Sequence, residues 1–180
     1  DGPPDLGFNP QVDFIVSSIA VQADGKILLG GIFGTVDGMA RNGLARVGPT
    51  GALDGAFVPE ATGGSFFGVA SLAVQADGKI LLSGDFTKVG GTPRNGIARV
   101  NPNDGSLDSA FNNLNNPNAN GAVYGVAVQA DGEVLLGGSF LSVGGVSRNN
   151  LARLVNDPAP QALAATSATR VEWQRGVGAP

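Results

Sequence analysis

Three apolar segments of the chain lack the alternation of polar and apolar positions that marks a strand with one face in solvent. They are KILLGGIF at 26–33, KILLSGDF at 79–86 and EVLLGGSF at 133–140. A strand of this composition needs cover on both faces. Each segment follows a shorter apolar stretch and an Asp-Gly pair, which is Asp24-Gly25 in the first case. Because Asp and Gly both accept positive φ, the pair predicts a two-residue type I′ hairpin.

The segments belong to a repeat with a spacing of 53 and then 54 residues. The first block of the repeat occurs as AVQADGKILLGG, AVQADGKILLSG and AVQADGEVLLGG at 20–31, 73–84 and 127–138. The second block occurs as ARNGLARV, PRNGIARV and SRNNLARL at 40–47, 93–100 and 147–154. A closing block follows only the first two repeats, as GALDGAF at 51–57 and DGSLDSAF at 104–111. The chain begins, however, with the similar DGPPDLGF at 1–8, so the closing blocks are circularly shifted.

Each repeat contains four predicted strands: the two of the hairpin, the segment around LARV and the closing block. Repeats of about 40–50 residues with four strands are typical of propeller blades, in which neighbouring sheets cover both faces of each sheet. We therefore predict an all-β fold, a β-propeller-like array of three repeats, each a four-stranded antiparallel blade. The predicted units are a displaced tail strand at 1–10, repeat 1 at 11–60, repeat 2 at 61–114, repeat 3 without its own tail at 115–157, and an exit segment at 158–180. The exit segment is predicted as β, with an Ala-rich helix across 161–165 as the alternative.

Composition excludes several function classes. The net charge is −4, and no cluster of Lys and Arg with interleaved aromatic residues occurs, so nucleic acid is not an expected partner. The absence of Cys and His excludes disulfides, Cys nucleophiles, His acid–base pairs and the usual zinc sites. The longest apolar stretch, at 27–36, is too short to span a bilayer, and no membrane insertion is expected. Residues 1–10 lack an export-signal pattern, so we expect any such signal to lie upstream or to have been removed.

The repeated basic residues offer one candidate binding surface, the series Arg41, Arg94 and Arg148. As a ring on one face, these guanidinium groups would receive carboxylates or acidic sugars. The favoured interpretation is that each Arg binds loop carbonyls or a carboxylate within its own blade. The glycine pairs at 30–31, 90–91 and 144–145 lack the strand-to-helix setting and the Lys of a phosphate loop and are assigned to turns and packing.

Turn chemistry accounts for the repeated carboxylates. One series, Asp24, Asp77 and Asp131, lies in the hairpins, and the other, Asp5, Asp54 and Asp108, caps a turn in the closing blocks or pairs with Arg46, Arg99 and Arg153. The spacing in NPNDGSLD at 101–108 does not fit a calcium loop, and no acid pair of a glycosidase is evident among Asp13, Asp37, Glu60 and Asp85. We therefore predict no enzyme activity, no catalytic, cofactor-binding or metal-ligating residue, and no cofactor.

The ordered set of three blocks resembles the delta-60 repeat of large secreted or surface-exposed bacterial proteins. The resemblance covers residues 1 to about 157 and rests on AVQADGKILLGG with its following Phe, the RNGLARV-like block and DGSLDSAF. It implies a β-propeller-like fold, an extracellular or cell-surface location, and no enzymatic activity or cofactor.

Three blades leave an open arc, because closed propellers typically have four to eight. We expect the ends to bind a partner, either further repeats of a longer chain or a second copy whose DGPPDLGF strand completes the third blade. Such contacts would close a six-bladed ring or propagate as a filament. The predicted function is thus a non-catalytic extracellular structural or assembly module. The alternative is a propeller that binds a carbohydrate or a surface protein through the loops 60–68 and 111–122, including Asn115, Asn116 and Asn118.

Overall fold

The computed structural model of the chain describes residues 2–64, 68–113, 118–155, 162–167 and 170–174. Within these residues the regular structure consists of short antiparallel strands and one five-residue helix, α1 (Ser109–Asn113). None of the described helical structure is long and apolar enough to cross a membrane.

Repeat 1 contains β1 (Ile15–Val21), β2 (Ile27–Ile32), β3 (Thr35–Val36), β4 (Met39–Ala40) and β5 (Leu44–Val47). Repeat 2 contains β6 (Ala61–Thr62), β7 (Val69–Val74), β8 (Ile80–Gly84), β9 (Lys88–Val89), β10 (Thr92–Pro93) and β11 (Ile97–Val100), followed by α1. Repeat 3 contains β12 (Val123–Val128), β13 (Val134–Gly138), β14 (Ser142–Val143), β15 (Val146–Ser147) and β16 (Leu151–Leu154). In the C-terminal segment, β17 (Ala162–Ser167) pairs with β18 (Arg170–Gln174).

A three-stranded antiparallel sheet forms the body of each repeat, and its central strand is the apolar one. The strand orders are β1-β2-β5, β7-β8-β11 and β12-β13-β16. In repeats 1 and 2 the closing block pairs with the edge of this sheet through a single antiparallel bridge. The bridge joins Leu53 to Val47 in repeat 1 and Leu107 to Val100 in repeat 2. The predicted propeller-like array is thus confirmed, with the fourth strand reduced to one bridge. No such bridge accompanies β16 in the part of repeat 3 that the structure describes.

The hairpin between the first two strands has a three-residue loop, so the predicted two-residue type I′ turn is wrong. In repeat 1, Gln22 N donates to Lys26 O at 2.8 Å and Gly25 N donates to Gln22 O at 2.9 Å. Gly25 has a φ of 80°, whereas Asp24 is not in the positive-φ region. This geometry is a type I turn followed by a glycine bulge. The Asp24 carboxylate instead accepts the Lys26 N–H at 3.1 Å and holds the loop.

A second, smaller hairpin in each repeat lies outside the predicted strands. It consists of β3 and β4, β9 and β10, or β14 and β15. Both central turn residues have positive φ, at Asp37-Gly38 (51° and 75°), Gly90-Gly91 (54° and 74°) and Gly144-Gly145 (58° and 76°). These are the dihedral signs of a type I′ turn. The type I′ turns of this chain therefore lie here, which gives the glycine pairs at 90–91 and 144–145 their structural role.

Most of the core lies between successive repeats. The first joint, between repeats 1 and 2, is a cluster that includes Leu28, Leu44, Phe57, Leu72, Ile80 and Phe86. The second joint, between repeats 2 and 3, includes the equivalent side chains Leu81, Ile97, Phe111, Val126, Val134 and Phe140. A fully buried side chain of this kind stabilises the fold by about 1.5–3 kcal/mol. Stacking of one sheet on the next therefore explains why the central strands are apolar on both faces.

The N-terminal closing block packs on repeat 1 of the same chain. Phe8 contacts a third cluster, formed by Leu29, Phe33, Val36, Ala45 and Val47. These five residues of repeat 1 are equivalent to the residues that repeat 2 contributes to the first joint. Phe8 is therefore the counterpart of Phe57. The turn is also shared, because Gly7 N donates to Asp5 Oδ1 at 2.8 Å and Ala56 N donates to Asp54 Oδ1 at 3.0 Å. The turn of residues 5–8 thus places Phe8 on repeat 1, as the turn of residues 54–57 places Phe57 against repeat 2.

Candidate functional site at the repeat edges

A cluster of charges joins the closing block to the sheet in repeats 1 and 2. In repeat 2, one oxygen of Asp108, Oδ2, accepts from Lys79 Nζ at 2.6 Å and from Arg99 Nε at 2.8 Å. In repeat 1, Asp54 Oδ2 accepts from Arg46 Nε at 3.0 Å and lies 3.3 Å from Lys26 Nζ. The closing-block aspartates therefore pair with the arginines as expected, and a lysine from the start of β2 or β8 completes each cluster.

The arginine of this cluster also contributes to the joint. Arg46 is nearly buried and lies over the ring of Phe57, with its guanidinium carbon 4.3 Å from the ring centroid. Its Nη2 donates to Asn103 O at 2.9 Å and its Nη1 donates to Pro102 O, both in repeat 2. Arg99 stacks in the same way on Phe111 at 4.7 Å. One side chain therefore links the closing block, the sheet and, in repeat 1, the next repeat.

The surroundings of the two aspartates lower their pKa values below the ordinary 3.8. Burial by itself raises the pKa of Asp108, but the hydrogen bond from Lys79 and the charge of Arg99 outweigh it. Burial likewise raises the pKa of Asp54, and hydrogen bonds from Ala56 N, Lys26 and Arg46 outweigh it. Both carboxylates are therefore stabilised in their charged form by the native contacts.

Repeat 3 has a different pair at this edge. Its arginine is retained as Arg153, but the lysine position is occupied by Glu133. Arg153 Nε lies 2.8 Å from Glu133 Oε2, an ion pair that lacks hydrogen-bond geometry. The Arg153 side chain is 58% exposed, whereas that of Arg46 is 3% exposed. The expected pairing of Arg153 with a closing-block aspartate does not occur within the described chain, because Asp5 belongs to the N-terminal block, whose Phe8 packs on repeat 1.

Apolar positions that the joints bury are exposed at both ends of the array. Ile19 in β1 is 64% exposed, while its counterpart Leu72 in β7 is 8% exposed. Leu151 in β16 is 65% exposed, while its counterpart Leu44 in β5 is fully buried. Since Leu44 and Leu72 belong to the same joint, each end exposes one half of the contact that the interior of the array forms.

A serine hydroxyl adds a polar contact to each joint. Ser18 Oγ accepts from Leu72 N at 3.0 Å, and Ser71 Oγ accepts from Val126 N at 3.3 Å. The equivalent position in repeat 3 is Gly125. In the part of repeat 3 that the structure describes, the outward side therefore lacks the hydroxyl acceptor, as well as the lysine and the closing block.

The series Arg41, Arg94 and Arg148 binds backbone carbonyls. Each donates from Nη1 to the preceding residue, with distances of 2.6 Å to Ala40 O, 2.6 Å to Pro93 O and 2.8 Å to Ser147 O. Arg41 is 6% exposed, and its Nη2 also approaches Asp54 O at 3.5 Å. The geometry agrees with the interpretation that these arginines organise their own loops.

Three of the other candidate residues accept hydrogen bonds from backbone N–H groups that lie far away along the chain. Asp13 Oδ1 accepts from Gly34 N at 3.0 Å and Asp37 Oδ1 accepts from Gln11 N at 2.8 Å. Among the described residues, no group of three acidic side chains is arranged to hold a metal ion. Asn118 accepts from Asn95 N at 2.8 Å, whereas Asn115 and Asn116 lie outside the described residues. The carbohydrate-binding alternative stays a prediction.

Sequence reasoning missed Glu133 as an element of this site. The signal was present, because AVQADGE replaces AVQADGK at one position of the most constant block. The role of this position is evident only in the folded chain, because residues 26, 46 and 54 lie far apart along the sequence and come together in the fold.

Comparison with known proteins identifies the repeat. The family model described as "Domain of unknown function (DUF5122) beta-propeller" matches residues 22–57, 75–111 and 129–157, which is more than half of the chain. Neither the curated proteins nor the solved structures include a match. The predicted resemblance is therefore confirmed at the level of a β-propeller repeat, and the chain belongs to the DUF5122 β-propeller family.

Proposed function

We propose that this chain is a non-catalytic structural or assembly module of an extracellular or cell-surface protein. Its function is to stack on further repeats of the same kind, here the repeats of a second copy. The supporting observation is the match between the two exposed ends: Ile19 and Leu151 correspond to Leu72 and Leu44, which pack together in the first joint. The extracellular location rests on the family resemblance.

The N-terminal block favours a head-to-tail contact. In repeat 1, Asp54 N donates to Arg46 O at 2.9 Å, and Gly48 N donates to Ala52 O at 2.8 Å. The N–H of residue 53 takes no part in this pairing, so Pro4 at the equivalent position is compatible with it. With Phe8 packed on its own repeat 1, residues 3–5 would be available to the β16 edge of another copy. This is strand addition, and it would complete the third blade.

The particle mass in solution tests the proposal. We expect light scattering and electron microscopy of the same sample to show particles heavier than the 18.0 kDa chain, either closed rings or filaments. Leu151→Asp and Ile19→Asp should each return the protein to a monomer, because each places a charge in the contact. Met39→Asp is the matched control, since Met39 is also exposed but lies in the second hairpin.

Two results would contradict the proposal. A wild-type chain that stays monomeric over a wide concentration range has no self-assembly function. An equal loss of particle mass in Met39→Asp would mean that the contact does not use the exposed ends of the array.

A further inference from the structure

The charge at the repeat edge is reversed in repeat 3 at one position only. Lys26 and Lys79 have Glu133 as their counterpart, while the neighbouring arginine is retained. In each of the two internal clusters, a lysine and an arginine share one closing-block carboxylate, and in repeat 1 the lysine also lies 3.8 Å from Asp24 Oδ2. Among the residues that the structure describes at the end of repeat 3, Arg153 faces one carboxylate, that of Glu133.

An incoming closing block of the same chain would bring a second carboxylate. Asp5 is the counterpart of Asp54 and Asp108, and its side chain already forms the same turn, with Gly7 N at 2.8 Å. At the β16 edge, Asp5 would share Arg153 with Glu133 and would meet no lysine. The carboxylates of Asp5 and Glu133 would then face the same guanidinium group and repel each other. This repulsion grows as the contact excludes water. The same backbone pairing would therefore be weaker here than inside the array.

A second difference on the same side of repeat 3 supports this interpretation. Ser18 and Ser71 each accept a backbone N–H of the next repeat through the side-chain hydroxyl, but Gly125 has no side-chain acceptor. The missing hydroxyl is not imposed by crowding, because a Cβ placed on Gly125 would meet no atom within 4 Å. The lysine of the charge cluster and the serine hydroxyl are thus both absent on the side of repeat 3 where a partner would dock.

We infer that Glu133 determines the specificity of the repeat 3 end and limits the binding of a second copy there by opposing its Asp5. The inference rests on the proposed head-to-tail contact and adds the residue that sets its strength. The partner is repeat 1 of a second copy, since the exposed apolar positions and the packed tail fit that surface. Glu133 keeps this contact weaker than the joints within the chain.

Charge substitution at residue 133 tests the inference. Sedimentation of the full chain at low salt should show that Glu133→Lys lowers the dissociation constant of self-association about tenfold, and that Glu133→Gln lowers it about threefold. Asp5→Asn should cancel the gain of Glu133→Lys, because the new lysine then has no carboxylate to bind. Circular dichroism confirms that each variant is folded, and Glu133→Gln remains informative if a Lys beside Arg153 unfolds the edge.

The outcomes separate this inference from the proposed function. If the wild type is monomeric and Glu133→Lys assembles, Glu133 has the assigned role although the natural chain does not self-assemble. If the wild type assembles and neither variant changes the dissociation constant, the inference is wrong and the proposed function stands. If Glu133→Lys gains affinity equally with Asp5→Asn present, Asp5 is not the group that Glu133 opposes. Monomers in every variant overturn both.

Discussion

The first joint and the outward end of repeat 3 have nearly the same sequence and the same strand pairing, yet they differ in what covers them. In the first joint Leu44 is buried, and Arg46 pairs with Asp54 and stacks on Phe57. At the outward end, Leu151 and Arg153 have the equivalent positions and are mostly exposed. The comparison separates the stability of a blade into two parts. Backbone pairing forms in both places, whereas burial depends on the neighbouring repeat and the pairing of Arg46 with Asp54 depends on the closing block.

The comparison also explains the role of the closing block. Its strand contribution is one bridge, Leu53 to Val47, but it supplies an aromatic ring and a carboxylate to the joint. The block is therefore better described as a fastening between blades than as a fourth strand. The closing block that repeat 3 lacks has its counterpart at the N-terminus, which packs on repeat 1 instead.

Truncation of the equivalent leucines should give the largest difference between the two regions. Leu44→Ala leaves a cavity in the first joint and should lower the free energy of unfolding by about 3–5 kcal/mol. Leu151→Ala removes a side chain that is 65% exposed and should cost less than about 1 kcal/mol in the monomer. Urea denaturation measures both. Equal losses would mean that the repeat 3 end is covered as well as the joint is.

Neutralisation of the edge carboxylates should give a smaller difference of the same kind. Asp108→Asn leaves Lys79 and Arg99 without their shared charge partner in a largely buried place, and we expect a loss of about 2–3 kcal/mol. Glu133→Gln affects a pair with a mostly exposed arginine and should cost less than about 1 kcal/mol. Thermal unfolding of the two variants tests this, and a larger loss for Glu133→Gln would contradict it.

The sequence was sufficient for the architecture because the repeat is long and ordered. Three copies of the same blocks, together with central strands that are apolar on both faces, leave stacked blades as the simplest way to bury them. The Asp54–Arg46 pairing could also be anticipated, because both residues recur with the blocks.

Local geometry was harder to predict because short elements carry little pattern. The strands β3 and β4 have two residues each, too few for a period, so the second hairpin was missed. Asp24-Gly25 looks like a type I′ pair, but the choice between a two- and a three-residue loop depends on strand register, which the pairing of Gln22 with Lys26 sets. The roles of Lys26 and Glu133 could not be predicted either, because they depend on contacts across the sheet.

Acid should weaken the internal fastenings, because their aspartates lose the negative charge that the native contacts stabilise. The native pKa values of Asp54 and Asp108 are lower than the ordinary 3.8, so the unfolded chain binds more protons as the pH falls toward and below 3.8. The stabilisation from these aspartates is therefore complete well above pH 3.8 and is lost as the pH falls through their native pKa values. Unfolding free energies of the wild type and of Asp54→Asn/Asp108→Asn should differ at neutral pH and converge in this acidic window. Parallel curves would show that the lysine and arginine contacts do not stabilise the charged carboxylates.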